Sequence, residues 1–359
     1  RIVNRLTTLF PSTMLEDHAE EHGVVEREGK LQIPALVWTF VFGFATGESR
    51  TLAAFRRSYN STADETLTAG GFYHRLTPRL ADFLCDLVEQ RLDEVAVPHT
   101  ISDEFDRFRD IIAADGTILR LHEFLADEFQ PRRGEQGGAR LHLLHNVTDQ
   151  TIDQFSITDE KAHDSNGFDT GPWLKDRLVL FDQAYFKYRR FALIDENDGY
   201  FVSRLKNNVN PVITGEFREW RGRAIPLEGK QIQDVAENLH REIIDVEVEA
   251  EFQRRVYEET QSWDTKRFRV VGILDEDADD YHFYITNLPR EQILPRDIAT
   301  IYRCRWEIEL LFRELKSRYE LDEFDTTKKH VVEILVYAAL LTLLVSRELL
   351  DLVSEYAAD

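Results

Sequence analysis

With 359 residues, 43% of them hydrophobic, the chain is long enough to form two or three globular domains. Its 66 acidic residues against 44 basic ones leave a formal net charge of −22, which at first sight argues against a nucleic-acid partner, because phosphate binding wants a basic footprint. The uncharged apolar run Ile334 to Ser346 is 13 residues, against the ~20 a membrane-spanning helix needs, and is expected to be a buried helix.

No charged and then apolar leader opens the chain, so no export signal is expected, and the start at Arg1 suggests a segment of a longer product. Cys85 and Cys304 stand far apart and outside any metal-ligand spacing, as expected of reduced thiols in a cytoplasm. Many carboxylates and few lysines suit a salt-adapted cytoplasm, where the Debye length falls to ~3 Å at 1 M and distant repulsion is screened. DNA contacts would then rest on local clusters of Arg and Lys. Unfolding on raising KCl to molar levels would contradict this expectation of halophily.

Residues 1–104 read as a small helical domain. Pro34 opens an apolar run to Phe44, Arg50 to Tyr59 carries Arg50, Arg56 and Arg57, and Gly70-Gly71 breaks the chain before Phe72 to Leu92. Arg56, Arg57, His74 and Arg75 could grip phosphates or merely cover solvated helix faces. From Phe105 the pattern turns to β. FRDIIAADGTIL reads as a buried strand bearing Asp115, with Gly116 allowing a close backbone approach. Ala139 to Val147 and Thr151 to Thr158 read as two further strands of a meander, joined around Asp149.

Asp159 to Lys175 is expected to contain a helix with Pro172 and Trp173. A strand from Leu178 to Phe181 then ends in Asp182, a helix starts near Tyr185, and GYFVSRLK forms a last short strand of this part. That order, with a carboxylate ending the first and fourth strands, is the order of a ribonuclease-H-like mixed sheet with flanking helices. The first and fourth strands would then lie side by side and parallel, making Asp115 and Asp182 neighbours at strand ends where ligands of open sheets gather. Singly, each aspartate reads better as a strand-end turn residue.

Residues 207–296 read as a β-rich insertion between two parts of the mixed-sheet fold, 105–206 and 297–359. KRFRVVGIL and DYHFYITNLP form an evident hairpin across the acidic run from Asp275 to Asp280. This run begins like a calcium loop but lacks Gly at the sixth position and Glu at the twelfth, and so reads as a solvated turn. Val331 to Leu352 closes the chain as a long apolar helix.

The stretch from Ile301 to Tyr319, IYRCRWEIELLFRELKSRY, reads as one helix. At about 100° per residue, with Tyr302 at 0°, Arg305 falls near 300°, Glu309 near 340° and Lys316 near 320°. Ile308, Leu311, Phe312 and Leu315 form an apolar stripe beside them. On its own, an Arg305–Glu309 pair is an ordinary i,i+4 contact worth ~0.2–0.5 kcal/mol. The spacing Tyr302, two residues, Arg305, three residues, Glu309, six residues, Lys316 resembles, however, the Y-R-E-K motif of insertion-sequence DDE transposases of the insertion-sequence four family. ADGT, FDQAYF, YITNLP and YRCRWEIELLFRELK resemble the family's blocks in order, from Asp115 to Lys316.

This resemblance implies a transposase that nicks DNA and joins the 3′ ends to a target. In-line displacement at phosphorus is served by two divalent ions ~3.5–4 Å apart, and Mg²⁺, for which Mn²⁺ can stand in, takes hard oxygen ligands. Asp115, Asp182 and Glu309 would be those ligands and the catalytic acids. Tyr302, Arg305 and Lys316 would position phosphates. Trp306 would contact DNA or pack in the core, and Trp263, Tyr281 or Tyr284 would stack on a flipped base. The implied partners are terminal inverted repeats, target DNA and a second copy of the chain, and the acid-rich composition suggests a haloarchaeal origin.

His142 and His145, three apart on a strand, should face opposite sides and not share one metal. His163-Asp164 is an ambiguous approach to the site, with Asp164 more simply a helix cap. Arg132, Arg133, Arg189, Arg190, Arg254 and Arg255 are the cation clusters expected to touch DNA. A ribonuclease-H-like nuclease without strand transfer and a non-catalytic DNA-binding descendant are the competing readings. Joining of labelled ends separates the first, and metal-independent binding without cleavage would mark the second.

Overall fold

A computed structural model describes residues 2–25, 31–45, 51–94, 107–162, 167–217, 219–220, 223–224, 226–238, 241–257, 260–275, 280–321, 324 and 326–358. The amino-terminal part is helical: α1 (Ile2–Leu9), α2 (Ser12–Glu21), α3 (Ile33–Ala45), α4 (Leu52–Thr62), α5 (Ala69–Tyr73) and α6 (Pro78–Glu94). Thr51 and Thr68 cap α4 and α5 by accepting the Ala54 and Gly71 amides, satisfying donors that a helix start leaves open. The β region runs β1 (Asp110–Arg120), β2 (Gly138–Asn146), β3 (Thr151–Asp159), β4 (Arg177–Phe181), α7 (Tyr188–Glu196) and β5 (Tyr200–Arg204). There follow β6 (Val212–Glu216), the two-residue pair β7 (Glu219–Trp220) and β8 (Arg223–Ala224), α8 (Ile232–Asn238), β9 (Ile243–Tyr257), β10 (Thr260–Asp275) and β11 (Asp280–Thr286). Three helices close the chain: α9 (Pro295–Arg303), α10 (Trp306–Tyr319) and α11 (Lys329–Ala358).

Among the described residues, nine strands form one sheet in the order β3-β2-β1-β4-β5-β11-β10-β9-β6. The meander β1-β2-β3 is antiparallel, whereas β4 lies parallel to β1, with Ala114 opposite Phe181, and β5 lies parallel to β4. The first and fourth strands are therefore adjacent and parallel, as expected. The anticipated hairpin is β10-β11, and β11 pairs antiparallel with β5, so β6, β9, β10 and β11 lengthen the same sheet, while β7 and β8 pair only with each other.

Alternation along β1 puts Ile111 and Ala113 into one apolar core, and Ile112 and Ala114 into the other. The first core lies under α10, α11 and the amino-terminal helices; the second lies under α7 and α8. Helix α11 is long and apolar enough over Lys329–Leu350 to cross a membrane by length and composition, a longer stretch than its uncharged run implies. Its Val331, Ile334, Ala338, Leu341 and Val345 are nevertheless buried within the protein, at roughly 1.5–3 kcal/mol for each large side chain. Thr342 donates to the Val41 carbonyl of α3 (3.1 Å), and Glu348 accepts from Arg91 of α6 (3.0 Å) and Arg5 of α1 (2.6 Å). The amino-terminal helices are thus bonded to the closing helix.

Several expectations are corrected. The stretch from Ile301 to Tyr319 is two helices, because Cys304 and Arg305 close a tight turn with amide bonds to Ile301 and Tyr302 three residues back. Asp115 lies inside β1 rather than at its end, since β1 runs on to Arg120 beside β2. Pairing with β4 does stop at Ala114, so Asp115 still sits where the parallel ladder ends. Between Asp159 and Lys175 the described residues hold only a 3₁₀ turn, Pro172–Leu174. His163, Asp164, Arg50, Glu276, Asp277, Asp279 and the side chain of Arg255 lie outside the described residues.

Candidate functional site

Three elements meet at the edge where the β1-β4 ladder stops. Asp115 shares the face of Ile111 and Ala113, the side on which α10 packs. Asp182 directly follows β4 and precedes a 3₁₀ turn, Gln183–Tyr185. The tight turn between α9 and α10 lays Arg305 over the Tyr302 ring, 5.5 Å from its centroid. A 3₁₀-like turn eclipses side chains three residues apart, so this stacking follows from the helix break.

Arg305 is the centre of the arrangement. Its Nη2 donates to Glu309 Oε1 at 2.5 Å, and its Nη1 donates to Asp115 Oδ2 at 3.4 Å, joining positions 190 apart in sequence. Burial acts against its charge, but Tyr302, Glu309 and Asp115 outweigh that and hold the guanidinium protonated. Burial pushes the Asp115 carboxyl up to about 6; the Gly116 amide and Arg305 oppose the shift, and the charges of Asp182 and Glu309 add to it. Asp115 therefore feels both other acids, and the guanidinium supplies the positive charge such a group requires.

The outer motif residues act as braces. Tyr302 donates to the Phe181 carbonyl at the end of β4 (3.2 Å), and its ring packs on Tyr284 of β11, with centroids 5.1 Å apart. Burial raises the phenol above its usual range, so it stays a neutral donor. Lys316 donates to the Ile118 carbonyl (3.1 Å), tying α10 to the part of β1 beyond Asp115. Trp306 is 51% exposed beside this edge, which removes its core reading.

Among the described residues, no three His, Cys, Asp or Glu side chains are drawn together closely enough to hold an ion as they stand. The donor set nevertheless fits a hard divalent cation: three carboxylates, one of them desolvated, share an edge where their charge needs neutralising. Asp115, Asp182 and Glu309 could hold such an ion once Arg305 gives up its bonds to two of them.

Other expected residues are sorted by their surroundings. Trp263, 60% exposed on β10, is the accessible one of the three stacking candidates. Tyr281 is buried and exchanges hydrogen bonds with the Arg241 backbone, and Tyr284 is held against Tyr302. His142 is bonded to Tyr185 (2.7 Å) and Thr158 (2.9 Å) on one side of the sheet. His145 is bonded to the Thr151 carbonyl (2.8 Å) and lines a cavity with Leu311 and Leu344 on the other, so the two imidazoles do face apart.

Arg190 is buried, donates to the Tyr185 carbonyl and lies 4.6 Å over the Phe168 ring, which excludes it from a surface cluster. Arg254 is engaged by Glu196 (2.6 Å) and Asp264 (2.7 Å). Arg132, Arg133, Arg189, Arg57 and His74 are exposed, and Arg56 and Arg75 half-buried. Sequence reasoning missed Arg204, which ends β5 and lies 5.8 Å over the Tyr284 ring. A lone cation after an apolar strand carries no signal of its own.

Comparison with known proteins shows the family. A family model described as "Transposase DDE domain" matches residues 106–345. The chain is similar to the transposase for insertion sequence element IS231B of Bacillus thuringiensis subsp. berliner, at 21% identity over 94% of this chain and 77% of that protein. It is also similar to the IS231E transposase of Bacillus thuringiensis subsp. finitimus, at 22% identity over 93% and 76%. The transposase of IS1151 from Clostridium perfringens is 23% identical over 47% of this chain and 41% of its own length.

Proposed function

We propose that this chain, which belongs to the transposase DDE domain family and is a transposase acting on DNA, cuts the ends of its mobile element and joins them to a target, using Asp115, Asp182 and Glu309. The observation that carries this reading is Arg305 bonded at once to Asp115 and Glu309, at the edge where Asp182 leaves β4. It gathers residues from three distant parts of the chain into the charge pattern that phosphoryl transfer needs.

Members of such families use divalent metal ions; the all-oxygen donor set supports magnesium, with manganese as a substitute. When bound, the ions activate the attacking oxygen and stabilise the leaving one. The chain's own residues do the rest. Asp115, Asp182 and Glu309 would hold the ions, and Glu309 and Asp115 would release Arg305 on doing so. Freed from them, Arg305 would present its forked donors to a DNA phosphate, the geometry for which a guanidinium is suited. Lys316 adds a point charge on the same side, Tyr302 keeps the helix turn against β4, and Trp306 offers an exposed ring to the DNA.

The spacing of Tyr302, Arg305, Glu309 and Lys316 supports placing the chain in the Y-R-E-K group of the insertion-sequence four family. Residues 1–104 would grip the terminal inverted repeats, 105–206 and 297–359 form the ribonuclease-H-like core, and 207–296 the insertion. Two copies would act together, one on each end of the element. The surplus of carboxylates supports work in a salt-rich, haloarchaeal cytoplasm.

The test is cleavage and joining of a DNA carrying the element's own end, in high salt with magnesium, comparing the parent with Glu309→Gln. Loss of both activities with DNA binding retained is expected. Cleavage by the parent without joining would leave a nuclease, and binding without any cleavage would leave a non-catalytic DNA-binding protein.

A further inference from the structure

A second group of cations lies across the sheet edge from α10. A cleft of about 300 Å³ is lined by Arg132, Arg140, Lys161 and Lys206, with Glu160 and Ala184. Arg132 comes from the β1-β2 connection, Arg140 from β2, Lys161 from just after β3, and Lys206 from two positions after β5. Ala184 is two positions after Asp182, so the cleft opens directly beside the candidate site.

Register fixes which side it occupies. Arg140 pairs with Ile118, and a side chain at Ile118 or Gly116 points away from the face of Asp115. A Cβ placed on Gly116 would stand 3.3 Å from Arg140 Cδ. Arg140 therefore passes close to the neighbour of Asp115 on the face opposite α10. Arg305 and Lys316 approach the edge from one side, and these four cations from the other.

The charge of the cleft runs against the rest of the chain. Among its described lining residues the one carboxylate, Glu160, is buried and engaged with Arg120 at 2.6 Å. Beyond Lys206 the cations continue: the Lys187 ammonium is pushed below its usual range by burial and then by Arg190, Arg189 and Lys206. In a protein of net charge −22, the described lining of this cleft holds four cations and one carboxylate. Crowded cations beside a catalytic edge store repulsion that a polyanion relieves.

We propose that this cleft holds the phosphodiester backbone of the DNA as it leaves the reaction centre, so that the strand crosses the sheet edge at Asp182 between two sets of cations. This rests on the assignment of Asp115, Asp182 and Glu309 as the place where DNA is cut. Contacts of this kind carry no base specificity; they fix the register of the strand and set the salt dependence of binding.

The experiment measures affinity for a labelled duplex carrying the element's terminal sequence across a KCl series, and cleavage of the same duplex with magnesium. The parent is compared with a Lys161→Gln/Lys206→Gln double variant and with Arg132→Gln; Arg267→Gln, on a strand far along the sheet, controls for net charge. Each duplex phosphate contact contributes roughly 0.9 to the slope of log affinity against log salt. The double variant should lose about 2 from that slope, and Arg132→Gln about 1, with Arg267→Gln unchanged and all variants melting as the parent does. A parent that cuts the duplex while the cleft variants keep its slope, or an equal loss in Arg267→Gln, overturns the cleft alone. A parent that neither binds nor cuts overturns the underlying assignment as well.

Discussion

Asp245 is fully buried on β9 and holds Arg269 of β10 through two bonds, Nε to Oδ1 at 2.8 Å and Nη2 to Oδ2 at 3.0 Å. The same guanidinium reaches the Leu288 and Ile293 carbonyls, at 3.3 and 2.9 Å, in the segment that leads into α9. This one pair therefore anchors the helix that carries Tyr302. Asp245→Ala leaves a buried guanidinium without its counter-charge, a change that costs about 3–5 kcal/mol. At an unfolding entropy of roughly 2.1 cal/mol/K per residue, a chain of 359 residues should lose about 4–7 °C from its Tm in differential scanning calorimetry. Adding Arg269→Leu removes the buried one of the two cations that Asp245 serves, the half-exposed Arg290 (3.3 Å) being the other, and should recover much of the loss, because an apolar pair of similar volume is often as stable as a buried ion pair. A single variant melting within about 1 °C of the parent, or a double variant no better than the single, would refute the assignment of this pair as the anchor.

Two further outcomes follow from the site. The folded Asp115 carboxyl binds its proton more tightly than the ordinary value of 3.8, up to about 6, mainly through burial. Its contribution to stability is thus fully present below pH 3.8 and lost as pH rises through 6; Asp115→Asn should be more stable than the metal-chelated parent at pH 8, on the order of 2 kcal/mol after allowing for partial exposure, and show no advantage at acid pH in urea melts. Trp306→Ala removes an exposed ring and should leave stability within about 0.5 kcal/mol while weakening DNA binding in a fluorescence titration; a large fall in Tm would return the indole to a packing role.

The meander, the adjacent parallel strands and the β10-β11 hairpin were legible because each rests on local rules: period-two alternation, apolar runs bounded by turn residues, and chain order. The break at Cys304 and Arg305 was not, since both residues keep right-handed helical angles and differ from an α-helix only in bonding three residues back rather than four. Arg190 looked like surface charge from its neighbour Arg189; its burial under Phe168, Phe181 and Tyr185 depends on rings from three segments. The 3₁₀ turn at Pro172–Leu174 fell short of a helix because Pro172 and Gly171 leave little helical drive around Trp173.

What the amino-acid order carried unaided was local: an aspartate in or just after each of two apolar strands, a glutamate on a helix face, and an Arg one turn ahead of it, while the roles proposed for them came from the resemblance to DDE transposases. Those local statements need only periodicity and spacing, which are properties of neighbours along the chain. The pairing of Arg305 with Asp115, the tie from Tyr302 to Phe181 and the gathering of four cations beside Asp182 arose only in three dimensions. They depend on strand register and on which helix lies over which face, and those are set by burying two apolar cores on opposite sides of one sheet.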